Sequence, residues 1–315
     1  MESMDLRHQI ITCLGHFPER VEPSTKVESV EELDGYTRTR ITYMVEPGER
    51  IAAWLLVPGE HAPREGWPAI LTIHQHGGQF DQGKSEPAGL SGRASYHYGV
   101  ELCQRGYVVL CPDQLCFGER RPPEEVRLRH NGMLEKKGYE QFEFTRRILS
   151  GSCLQTKYLH DLSCGLDVLA AQPDVDADRL GVIGHSLGGQ ETLWLTWYDQ
   201  RVRVGVSSCG FGTIQTILRD GITHNFALYV PGLLEVCDMD ALLAGIAPRP
   251  FLLTAGEADP IFPIDGVRTI IAKAREAYTQ AGAADRLRAI IFPDGHSFPD
   301  EVKAEAYSFL DRWLK

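Results

Sequence analysis

Three residue types that together can do chemistry each follow a short apolar run in this chain. Ser186 lies in Gly184-His185-Ser186-Leu187-Gly188, a G-x-S-x-G pentapeptide preceded by the run at 180–183 and followed by Gly189 and a helical pattern. Asp259 lies in Ala255-Gly256-Glu257-Ala258-Asp259-Pro260, after the run at 251–254. His296 closes Pro293-Asp294-Gly295-His296, after the run at 287–292. A serine hydroxyl is a weak nucleophile at neutral pH and needs a base within hydrogen-bond reach. Histidine is the usual base, held in the right tautomer by a buried carboxylate. Serine, acid and histidine in this chain order make acyl transfer through a serine ester the expected chemistry.

The spacing inside the pentapeptide is steric. A nucleophile on a strand-to-helix turn occupies an unfavourable backbone region. Side chains two positions to either side would meet the neighbouring strand and helix, so Gly184 and Gly188 leave room. The helix after Ser186 aims unpaired N–H groups at the reaction centre. Oxyanion stabilisation needs at least two such donors. One is expected from Leu187, and the other from the loop His74-Gln75-His76-Gly77-Gly78-Gln79, through Gly77 and Gly78. His76 is placed to brace that loop by hydrogen bonding. His74-Gln75-His76 also has the form of a metal-binding H-x-H pair, but no acids are placed to complete such a site. Glu257 rivals Asp259 as the acid, although it stands two residues nearer its strand. Asp265 is expected to cap the following helix. Of the eleven histidines, His296 alone follows the final strand on a glycine-containing loop. His185 is expected to pack beside the nucleophile, and His160 and His8 have ordinary structural readings.

The elements that must hold these groups alternate. Residues 40–45 and 51–58 read as antiparallel strands closed by Glu46-Pro47-Gly48. Strands follow at 69–74, 107–111, 180–183, 202–207, 251–254 and 287–292, with helical patterns between them. This predicts an α/β protein, a mostly parallel central sheet flanked by helices on both faces. Ligands of such sheets bind beyond the carboxyl ends of the strands, where Ser186, Asp259 and His296 all fall. The expected organisation is an N-terminal helical extension over 1–38 and one hydrolase-like domain over 39–315. Two irregular stretches, 119–150 and 209–245, read as small cap-like insertions that shape a pocket. Phe211, Phe226 and Tyr229 in the second are candidates for its lining, with His76 and Gln79 from the loop after the third strand.

With 43% hydrophobic and 24% charged residues in 315, the chain has the make-up of a globular protein with an ample core. The net charge of −11 argues against nucleic acid or an anionic membrane as partner. Much of the acid, between Glu19 and Asp34, reads as a solvated face. No apolar run is long enough to span a membrane, and the acidic N-terminus does not read as a signal peptide. The eight cysteines show no C-x-x-C or paired Cys/His spacing, so free thiols in the cytoplasm are expected. Cys209 reads as a buried thiol close to the site.

From about residue 40 onward the chain resembles an α/β-hydrolase of the dienelactone hydrolase-like group, close to its acetyl xylan esterase-like branch. The residues that carry this are His76-Gly77-Gly78, the Ser186 pentapeptide with Gly189, and Ala247-Pro248-Arg249-Pro250. Gly256 with Asp259, Phe262-Pro263, and Gly295-His296-Ser297-Phe298 add to it. Pro112-Asp113 with Phe117-Gly118-Glu119-Arg120 is similar to that branch, and Glu119 and Arg120 are read as pairing with each other rather than orienting substrate. The resemblance implies a serine carboxylester hydrolase acting on a small-molecule ester, with no metal or organic cofactor. The chain departs from dienelactone hydrolases in carrying serine where they use cysteine. A prolyl-oligopeptidase-type serine peptidase shares the constellation, but such enzymes carry a β-propeller and no blade repeat is visible here. A non-catalytic protein on the same fold would be expected to have lost part of the triad.

Overall fold

The computed structural model describes residues 3–129 and 132–315. Nine strands form one sheet: β1 (Lys26–Leu33), β2 (Tyr36–Glu46), β3 (Glu49–Pro58), β4 (Trp67–Ile73), β5 (Val108–Pro112), β6 (Val175–His185), β7 (Val202–Ser208), β8 (Phe251–Gly256) and β9 (Leu287–Phe292). Their spatial order is β1-β2-β3-β5-β4-β6-β7-β8-β9. The first three strands pair antiparallel, as does β3 with β5; every later pairing is parallel. The expected mostly parallel sheet is therefore present.

Among the described residues the helices are α1 (Ser3–Leu14), α2 (Tyr98–Cys103), α3 (Glu124–Arg129), α4 (Lys137–Leu149), α5 (Leu154–Ala170) and α6 (Leu187–Tyr198). The chain continues with α7 (Ile214–Arg219), α8 (Leu233–Val236), α9 (Met239–Ala244), α10 (Ile264–Gln280) and α11 (Asp300–Leu314). The central strands are buried on both faces, which is why they read as unbroken apolar runs. Successive residues feed opposite layers. Leu71 and Val182 join the layer of α5, α6 and α10, while Ile70 and Ile183 join that of α2 and α11.

The N-terminal expectation needs correction. The helix is present, but β1 follows it and joins the sheet, and the expected boundary at residue 38 falls inside β2. Both faces of β1 are exposed along nearly its whole length, so no burial enforces an apolar alternation. The insertion at 119–150 is also more regular than expected, since it holds α3 and α4.

The chain runs from β4 outward to β5, then returns to place β6 on the other side of β4. A crevice opens at such a reversal, beyond the carboxyl ends of the strands. The loop of His76 leaves β4 there, and Ser186 leaves β6 beside it.

Candidate active site

Ser186 joins β6 to α6 with φ 57° and ψ −121°, a conformation that strains any residue bearing a Cβ. Its N–H donates to Ser208 O on β7 at 2.9 Å, and its carbonyl receives the Gln190 N–H at 2.9 Å. A Cβ on Gly188 would stand 2.0 Å from Ile73 O, and one on Gly184 would stand 2.4 Å from Gly188. The two glycines thus let the elbow close against β4. Leu187 is the first residue of α6, so its N–H has no partner within the helix.

Asp259 and His296 hang from the ends of β8 and β9. Glu257 N–H donates to Phe292 O at 2.7 Å, and Ala258 N–H donates to Asp294 O at 3.1 Å, joining the two loops. Gly256 packs so closely that an added Cβ would lie 2.0 Å from Gly295 O. His296 Nδ1 meets Asp259 Oδ2 at 2.7 Å. Asp259 Oδ1 accepts the N–H groups of Ile261 at 2.9 Å and Phe262 at 3.2 Å. An ionised carboxylate only accepts, so His296 carries its proton on Nδ1 and Nε2 is left as the basic nitrogen. Glu257 is exposed and pairs with Arg268, away from His296. Asp265 sits in the first turn of α10 and pairs with Arg219.

Ser186 and His296 face a common pocket of about 270 Å³. Both insertions reach it: Lys137 and Glu140 come from α4, and Thr223, His224 and Asn225 come from the segment after α7. His76, Gly77 and Gly78 form another wall. A cleft of about 360 Å³ lies at the opposite strand ends, near Trp67 and Arg179, far from any of these groups.

Several expected residues fall elsewhere. Phe211 is buried in the core against Phe251 and is absent from the pocket lining. Phe226 and Tyr229 pack on each other and on Phe144, behind the pocket wall. Gln79 is exposed, and its amide oxygen accepts from Gln82. Gly78 spends its N–H on His76 Nδ1 at 3.0 Å, so it is not free to serve as an oxyanion donor, while Gly77 lines the pocket beside it. Glu119 and Arg120 do not pair with each other. Glu119 binds Arg40 and Lys84, and Arg120 binds Glu49 and Asp161. The H-x-H pair has no free nitrogen to offer. His74 Nδ1 meets Gln75 O, His74 Nε2 accepts the Gln114 N–H, and both His76 nitrogens are engaged.

His185 is buried, stacked on Tyr96 at 4.7 Å and 4.8 Å from the His296 ring. Burial, then the neighbouring His296, holds its pKa well below the usual histidine value, so it stays neutral. His224 is pushed down to about 4, first by burial and then by His296 and His76. Burial and the Asp259 carboxylate push the Cys209 thiol up to about 12, so it is no nucleophile. The pocket residues Glu140, His224 and Asn225 escaped sequence reading. Their only signal was membership of the two insertions.

The fold recurs among known proteins. "Putative hydrolase YtaP" of Bacillus subtilis (strain 168) is 30% identical over 98% of this chain and 98% of its own length. A Bacteroides fragilis NCTC 9343 structure named as a "putative acetyl xylan esterase" superposes with a TM-score of 0.73 at 18% identity, covering 98% of this chain and 81% of that one. The glucuronoyl esterase from Solibacter usitatus superposes with a TM-score of 0.67 at 18% identity, covering 98% and 92%. These likenesses place the chain on the α/β-hydrolase fold, as its motifs suggested. The sequence profile of the prolyl oligopeptidase family matches residues 152–315, the half that carries Ser186, Asp259 and His296, and the chain belongs to that family.

Proposed function

We propose that this protein is a serine carboxylester hydrolase that cleaves small esters through an acyl-enzyme. One observation carries the reading: the Asp259–His296 pair and the strained Ser186 elbow open on a single small pocket. His296 Nε2 takes the Ser186 proton as Oγ attacks the ester carbonyl. Asp259 stabilises the imidazolium, and the N–H groups of Leu187 and Gly77 receive the oxyanion. The tetrahedral species collapses, and the alcohol leaves with the proton from His296. His296 then draws a proton from water, whose oxygen attacks the acyl group and releases the acid and free Ser186. One hydrolase domain with the insertions at 119–150 and 209–245 suffices for this chemistry.

The pocket supports an acyl group of a few carbons, since about 270 Å³ is near the lower end for small-molecule sites. Acetyl xylan esterase and glucuronoyl esterase are the names of structures that share the fold, and they support ester over amide. Membership of the prolyl oligopeptidase family favours a second reading, peptide hydrolysis by the same triad. A panel of 4-nitrophenyl esters of rising acyl length, run beside peptide 4-nitroanilides, separates the two. Ester turnover that falls with acyl length and vanishes in Ser186→Ala is expected. Faster cleavage of a peptide nitroanilide would replace ester with amide as the substrate class.

A further inference from the structure

One buried carboxylate ties two separate segments around the pocket to its own helix. Glu140, on α4, is 1% exposed. Its Oε2 lies 3.1 Å from His76 Nε2, and its Oε1 accepts the Phe226 N–H at 3.1 Å. Among the described residues no lysine or arginine forms an ion pair with it. The His76 ring packs edge-on against the stacked pair of Phe80 and Phe117, 4.9 Å and 5.0 Å away. On its other side the Gly78 N–H meets Nδ1 at 3.0 Å.

These contacts decide the tautomer. A backbone N–H can only donate, so His76 Nδ1 is an acceptor and the ring is neutral. The ring proton is on Nε2, where Glu140 receives it. Were Glu140 absent, the Gly78 N–H would still favour that tautomer, but Nε2–H would lose the buried acceptor that fixes the far side of the ring. The Gly77–Gly78 turn, with φ 50° and 70°, would then hang from a ring free to shift. That turn supplies the second oxyanion donor, and its usefulness depends on a placement within a fraction of an ångström.

We infer that Glu140 is a positioning residue, acting through His76 to hold the Gly77 N–H where the oxyanion forms. The inference rests on the ester-hydrolase reading. It gives the first insertion a part in the chemical step as well as in the pocket wall. A clasp that merely joined α4 to the second insertion through Phe226 would have no reason to act through His76.

A bypass tests this in the full-length protein with 4-nitrophenyl acetate. In His76→Asn the amide oxygen can take over the Nδ1 position and accept from Gly78, but the shorter side chain no longer reaches Glu140. Glu140→Ala in the native background should lower kcat about 10- to 100-fold with KM within about twofold. The same change in the His76→Asn background should leave kcat where His76→Asn alone put it. Glu140→Gln, which preserves shape and keeps an oxygen that can face Nε2–H, should lose less than Glu140→Ala. It also replaces Glu140→Ala in both backgrounds if the alanine variant does not fold. Equal losses in the two backgrounds, or a loss confined to KM, would overturn the role through His76. If native protein hydrolyses the ester no faster than Ser186→Ala, the ester-hydrolase reading itself fails, and this inference fails with it.

Discussion

Asp259 Oδ2 stands 2.7 Å from His296 Nδ1, and two backbone N–H groups fix the other carboxylate oxygen. The acid is therefore aimed before any substrate arrives. Asp259→Asn keeps an oxygen for Ile261 and Phe262 but presents an NH₂ to His296. The imidazole must then turn its lone pair inward and put its proton on Nε2, the wrong tautomer for a base. The expected loss in kcat is about 10³- to 10⁴-fold, with the melting temperature nearly unchanged. Glu257→Gln should leave kcat unmoved, because Glu257 is exposed and paired with Arg268. A reversed pattern in steady-state kinetics would make Glu257 the acid.

The elbow predicts a conflict between activity and stability. Ser186 holds φ 57° and ψ −121°, where only glycine is at ease. The strain costs on the order of 1–3 kcal/mol, more than the roughly 0.5–1 kcal/mol of chain entropy that a new glycine forfeits. Ser186→Gly should abolish ester turnover and yet unfold at a higher denaturant concentration than the native protein. Ser186→Ala should be equally inactive without that gain, since alanine keeps the Cβ. A urea midpoint for Ser186→Gly below that of Ser186→Ala would show the backbone to be unstrained.

The central sheet and the positions of Ser186, Asp259 and His296 at its strand ends were legible because physics writes them into sequence twice. Strands buried on both faces must be apolar runs, and catalytic groups of such sheets must follow those runs. The pocket wall follows neither rule. α4 turns Glu140 and Glu143 inward and leaves Phe142 and Leu149 exposed, the reverse of an ordinary amphipathic helix. A periodicity reading puts Glu140 in solvent. Its role depends on His76 and Phe226, residues 64 and 86 positions away. β1 was hidden for the opposite reason: with both faces exposed, its Val and Glu residues follow no pattern that burial would enforce.

Phe211 and the true pocket residues can be told apart by what they disturb. Phe211 is buried against Phe251 and does not face Ser186. Phe211→Ala should lower stability by about 3–5 kcal/mol, as large core deletions do, while the folded protein keeps its native KM. His224 lines the pocket, so His224→Phe should change KM for bulky acyl groups with a smaller effect on stability. Urea unfolding and KM measured on the same preparations check both.

The helix behind the nucleophile carries a pH dependence of its own. Glu191 on α6 is fully buried; its oxygens accept from the Gln155 and Gln190 amides, and among the described residues no cation pairs with it. Burial pushes its pKa up from 4.5 to about 8, against the smaller downward pull of those amides. In the unfolded chain Glu191 releases its proton near the ordinary value, whereas in the folded protein it keeps it to about pH 8. Across that window the folded state binds more protons, so its stability falls as pH rises, by at most about 1.4 kcal/mol per unit. Above about pH 8 both states are ionised, and the contribution levels off at its most unfavourable. Glu191→Gln removes the titration and leaves an amide able to bond both neighbours. The variant should match the native protein near pH 5 and exceed it in stability at pH 8–9. Urea midpoints at the two pH values measure the difference, and a gap that does not widen with pH would mean that Glu191 folds in its ionised form.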